Sequence, residues 1–100
     1  MLECRVLGPV RVLVDGAVVE VGGALPRRLI AALALADGKP VSDDRLAQAM
    51  WDDGSPAKAA AAMQAYVSRL RSALGTAYRD RLGRTPAGCF LHADEVRRCC

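Results

Sequence analysis

Apolar and polar positions partly alternate from Glu3 to Val21, and then the period changes. In ECRVLGPVRVLVDGAVVEVGG the apolar positions Cys4, Val6, Val10, Val12, Val14, Val18, Val19 and Val21 are mostly β-branched, with Glu3, Arg5, Arg11 and Glu20 between them. That composition at a period near two predicts strands. Gly8-Pro9 breaks the run, Asp15-Gly16 is a hairpin signal and Gly22-Gly23 closes the unit. Three short antiparallel strands are expected. From Leu25 the period lengthens. Leu25, Leu29, Leu33 and Ala36, with Ile30, mark one face of a first helix, stopped by Asp37-Gly38 and Pro40. Arg27 and Arg28 sit near its start, the poorer end for positive charge.

Ser42 predicts an N-cap for a second helix, with Asp43 and Asp44 in its first turn and Val41 placed to pack against Leu46. This helix is expected to end near Met50 or Trp51. Ser55-Pro56 reads as the start of a third helix and Gly75 as its end. On that helix Met63, Val67, Leu70 and Leu74 form one stripe, expected to be core. The opposite side carries Lys58, Ala61, Ala65, Ser68, Arg69 and Ser72, with Gln64 and Arg71 on one flank and Tyr66 on the other. Farther on, Leu82–Arg84 and Cys89–His92 are expected to pair as a hairpin across Thr85–Gly88.

At 100 residues, with 52% hydrophobic and 25% charged side chains, the chain suits one globular domain. No apolar run approaches the ~20 residues of a membrane span, and the start lacks a basic leader pattern, so a cytoplasmic location is expected. The net charge of +3 is uneven: residues 1–54 balance to −2 and residues 55–100 to +5. The second half is therefore the expected partner of a polyanion. Cys4, Cys89, Cys99 and Cys100 fit no standard zinc spacing and no disulfide framework. No metal and no cofactor are expected. With one histidine and no nucleophile–base pair, an enzyme is not expected.

Small residues on the free face of the third helix would let it enter a major groove, where arginine pairs with guanine and glutamine with adenine. Two helices joined by a loop, the second longer and more basic, followed by a hairpin with arginines nearby (Arg79, Arg81, Arg84), is a winged helix–turn–helix plan. The fold class expected is α+β: an N-terminal antiparallel sheet, three helices and a C-terminal hairpin wing. The domain is expected over residues 1–93, with 94–100 a linker or frayed tail.

In order, RVLGPVRV, PRRLIAALAL, GKPVSDDRLAQAMW, QAYVSRLRSALG and RTPAGCFL resemble the Streptomyces antibiotic regulatory protein family, whose DNA-binding domain is of the OmpR/PhoB winged-helix type. The resemblance covers about residues 2–92. It implies a transcriptional activator that binds double-stranded DNA in tandem or as a homodimer on direct repeats. Helix 56–74 would lie in the major groove and wing 82–92 in the minor groove. It implies base contact at Arg69, phosphate contacts at Tyr66, Ser68 and Arg71, and wing contacts at Arg84 and Thr85. Lys58, Gln64 and Ser72 complete the expected DNA-binding set. The loop at Trp51, Asp52 and Asp53 would face RNA polymerase. There are departures. Ala59–Ala62 stand where the family offers polar or basic residues. Thr85 stands where a wing arginine is usual. Gly88-Cys89 replaces Gly-Tyr, with Phe90 expected to offset the lost aromatic packing. ADEV resembles the linker into a helical activator domain of tetratricopeptide-like repeats. The alternative reading is a winged-helix module for protein contact that has lost DNA binding.

Overall fold

The computed structural model describes residues 1–6, 10–19, 21–51 and 57–97. The expectations at Gly8-Pro9, Glu20, Asp52–Pro56 and Cys99-Cys100 therefore lie outside the described residues. β1 (Leu2–Arg5), β2 (Arg11–Val14) and β3 (Ala17–Val19) form an antiparallel meander, as the alternation predicts. The turn between β2 and β3 has Asp15 at φ 51° and Gly16 at φ 86°. Positive φ at both positions is what a two-residue hairpin of matching twist requires.

Helix α1 (Ala24–Leu35) buries Leu29, Ile30, Leu33 and Ala34. Helix α2 (Asp43–Met50) is capped by Ser42, whose hydroxyl accepts from the Arg45 backbone N–H at 3.3 Å. Helix α3 (Ala59–Leu74) buries the expected stripe Met63, Val67, Leu70 and Leu74. Its start differs from the expectation. The helix begins at Ala59, after a turn at Ala57 and Lys58, with Lys58 as a cap that makes no side-chain bond. A 3-10 turn at Arg79–Arg81 leads into β4 (Leu82–Thr85) and β5 (Gly88–Leu91), the expected hairpin.

The expected frayed tail is not found at Glu95–Arg97. These residues form β6, which pairs in parallel with β1, so the first sheet has the order β3-β2-β1-β6. The cause is the open edge of β1. Val96 falls opposite the buried Cys4, and Arg97 reaches Glu3 at 3.4 Å and Glu95 at 3.3 Å on the outer face. One apolar core joins Leu2, Cys4 and Val12 of the sheet to the inner faces of all three helices and to Leu82, Cys89 and Leu91 of the hairpin.

Candidate nucleic-acid interface

With one side of α3 buried, the other side is fixed in place and open. At 3.6 residues per turn, Lys58, Gln64, Ser68, Arg69 and Ser72 fall away from the buried stripe, and all five are exposed. Among the described residues none of their side chains makes a hydrogen bond or ion pair. Ala61 and Ala65 lie between them, so the exposed surface of the helix is narrow. The flanking residues differ. Tyr66 is half-buried against the core. Arg71 donates from Nε to the Arg79 carbonyl at 3.1 Å and lies 3.6 Å from Asp80, which clamps the end of α3 to the 3-10 turn.

A surface groove of about 570 Å³ separates α3 from the wing. Gln64, Ser68, Arg71 and Ser72 line it from α3, Thr76 and Arg79 from the following turn, and Gly83 and Arg84 from β4. Five of the nine expected contact residues thus share one groove, while Lys58, Tyr66, Arg69 and Thr85 lie outside it. Arg79 belongs to this groove rather than to the wing. Its only sequence signal is its place in the cluster of arginines. Arg81 faces elsewhere, donating to the His92 carbonyl at 3.3 Å and to Asp94 at 3.2 Å.

The wing turn is built locally. The Thr85 hydroxyl accepts from the Ala87 N–H at 3.1 Å and donates to the Gly88 carbonyl at 3.2 Å, an arrangement that serves the turn itself. Arg84 pairs with Asp43 at 2.8 Å. Phe90 does not fill the core position that the family's aromatic would occupy. Strand alternation places Cys89 in the core, while Phe90 lies on the other face, over Gly83 and with its ring centroid 4.9 Å from that of His92. Trp51 is half-buried against the core rather than freely projecting.

Burial pushes the Cys4 thiol up to about 11 and raises that of Cys89. Both stay protonated at neutral pH, and neither is an activated nucleophile. Among the described residues no helix is long and apolar enough to cross a membrane.

A packed three-helix core, an open face on the third helix and a hairpin beside it define a winged-helix domain of the transcriptional-regulator class. The profile of the family described as "Transcriptional regulatory protein, C terminal" matches residues 24–85, and the chain belongs to that family. It is similar to the regulatory protein AfsR of Streptomyces coelicolor, 42% identical over 73 residues, which are 73% of this chain and 7% of AfsR. It is similar to the transcriptional regulatory protein EmbR of Mycobacterium tuberculosis, 37% identical over 76 residues, which are 76% of this chain and 20% of EmbR. A solved structure of M. tuberculosis EmbR in complex with a low-affinity phosphopeptide superposes with a TM-score of 0.79 at 34% identity, covering 91% of this chain and 25% of that one. The chain therefore spans only a small part of these relatives. AfsR is a regulatory protein and EmbR a transcriptional regulatory protein.

Proposed function

We propose that the chain binds double-stranded DNA as the reading domain of a bacterial transcriptional activator acting in the cytoplasm. The exposed side of α3 enters the major groove. Arg69 reads a base, with Lys58, Gln64, Ser68 and Ser72 as further base or phosphate donors and Tyr66 and Arg71 reaching phosphates from the two flanks. The wing meets the neighbouring minor groove through its Thr85–Gly88 turn, with Arg84 drawn back against Asp43. Copies bind in tandem or as a homodimer on direct repeats, and the segment at Trp51, Asp52 and Asp53 faces RNA polymerase.

The observation that carries this reading is the set of α3 donors without partners among the described residues, opposite a fully packed stripe. Arg69 is the most exposed commitment. Its replacement by alanine removes no hydrogen bond or ion pair among the described residues, so Arg69→Ala should fold normally. It should weaken binding to the preferred duplex by roughly 1–3 kcal/mol and relax selectivity at one base position. The check is selection from a randomised duplex pool by both proteins. An Arg69→Ala variant that selects the same sequences with the same affinity removes Arg69 from the reading role. A second reading, docking of protein only, draws on the first turn of α3, where Ala59–Ala62 offer no side-chain donor. Failure of the wild type to select any sequence would favour it.

A further inference from the structure

The wing is tied to the start of α2 at three points. Val41 and Cys89 exchange backbone hydrogen bonds of 2.7 and 2.9 Å. Gly88 lies so near the Val41 carbonyl that a Cβ there would fall 2.1 Å from the oxygen. Arg84 Nη2 donates to Asp43 Oδ2 at 2.8 Å. The other carboxylate oxygen, Asp43 Oδ1, is buried and has no hydrogen-bond donor among the described residues.

We propose that Asp43 is a positioning residue that keeps Arg84 off the DNA, holding its guanidinium as a phosphate would and fixing the wing against α2. This rests on the DNA-binding reading above. The wing then docks with one phosphate contact fewer than its arginine suggests. The reason is what release would leave behind. Asp43 already has one oxygen without a donor, and losing Arg84 would remove the cation from the other. With Oδ1 buried and without a donor among the described residues, a carboxylate that lost the cation on its other oxygen would be left poorly satisfied and would also face a polyanion. An arginine that moves to a hydrated phosphate exchanges one anion for another. The pair therefore survives docking. The first turn of α2 adds to this, because negative charge is favoured at a helix N-terminus.

The test is a salt series of anisotropy titrations against a labelled mixed-sequence duplex, using the wild type, Asp43→Asn, Arg84→Gln and the double variant. Each neutralised phosphate adds about 0.9 to the slope of log affinity against log salt. Asp43→Asn should free Arg84 and steepen the slope by about that amount. The double variant should return to the wild-type slope, and Arg84→Gln alone should leave it unchanged. The proposal is overturned by a shallower slope in Arg84→Gln alone, by an unchanged slope in Asp43→Asn, or by equal steepening in Asp43→Asn and the double variant. The last result would be an effect of net charge only. If Asp43→Asn fails to fold by circular dichroism, Arg84→Gln alone decides by the same criterion. A wild type that binds no duplex even at low salt overturns the DNA-binding reading and this inference with it, whereas binding with the wrong slopes overturns only the inference.

Discussion

Gly88 shows how much one position can carry. Its φ is 138°, and a side chain there would collide with the Val41 carbonyl. Gly16 also has positive φ but has open space around it. Gly88→Ala should therefore cost more than about 2 kcal/mol, combining backbone strain with a clash that displaces the wing, while Gly16→Ala should cost about 1–2. Urea denaturation midpoints check both, and equal losses would show that the contact with Val41 does not matter. The sequence marks Gly88 as a turn residue and nothing more. Its neighbour Val41 is 47 residues away in the chain, and no local pattern reports a long-range approach. Arg28 is similar. It sits at the unfavourable end of α1, and the sequence offers no reason for it. In the fold its guanidinium donates to the Met50 carbonyl at 2.9 Å, at the end of α2, where a cation is favoured.

At the scale of elements, α3 is the most legible part of the chain because its apolar spacing is long and regular. Leu70 lies at the centre of the buried stripe and is 6% exposed. Leu70→Ala should destabilise the domain by roughly 2–5 kcal/mol. Thermal unfolding measures this, and a loss below about 1 kcal/mol would mean that the stripe is not core. The start of the same helix was not legible. Ser55-Pro56 has the right chemistry for a cap, yet the helix begins at Ala59. Alanines are good helix formers at any of these positions, so the pattern does not fix the boundary. β6 was missed for a different reason. Three residues with one apolar position give no periodicity, and the strand exists because β1 offers an unpaired edge. The wing hairpin was legible from its turn residues. The pairing of Arg84 with Asp43 was not, because it joins two elements whose separation the sequence does not state.

The whole molecule is held together across its sheet and its wing by charged contacts as well as by the core. The Asp94 carboxylate accepts from the Leu2 N–H at 2.7 Å and pairs with Arg81 at 3.2 Å, tying β1 to the 3-10 turn. The Leu2 bond first, and Arg81 second, hold its carboxyl below the ordinary value of 3.8. Glu3 is likewise held below 4.5, chiefly by its bond to Arg5. A carboxyl with a lowered value in the folded state stabilises the fold above its ordinary value. That contribution is lost as the pH falls through the lower, folded-state value. Stability should therefore decline as the pH drops below about 4, and Asp94→Asn should flatten that decline. Denaturation midpoints between about pH 6 and pH 2 check it, and parallel curves for the two proteins would remove Asp94 from the account.

The proposed orientation on DNA also agrees with the distribution of charge. The surplus of positive charge lies in residues 55–100, the half that holds α3 and the wing, while residues 1–54 are slightly acidic. On this reading the open side of α3 is the surface that meets DNA. The most direct measurement is amide chemical-shift mapping of the labelled chain on titration with a duplex at low salt. The largest shifts are expected along Lys58–Ser72 and in the Thr85–Gly88 turn, with the outer face of the β3-β2-β1-β6 sheet unmoved. Shifts confined to that sheet, or none on α3, would contradict it.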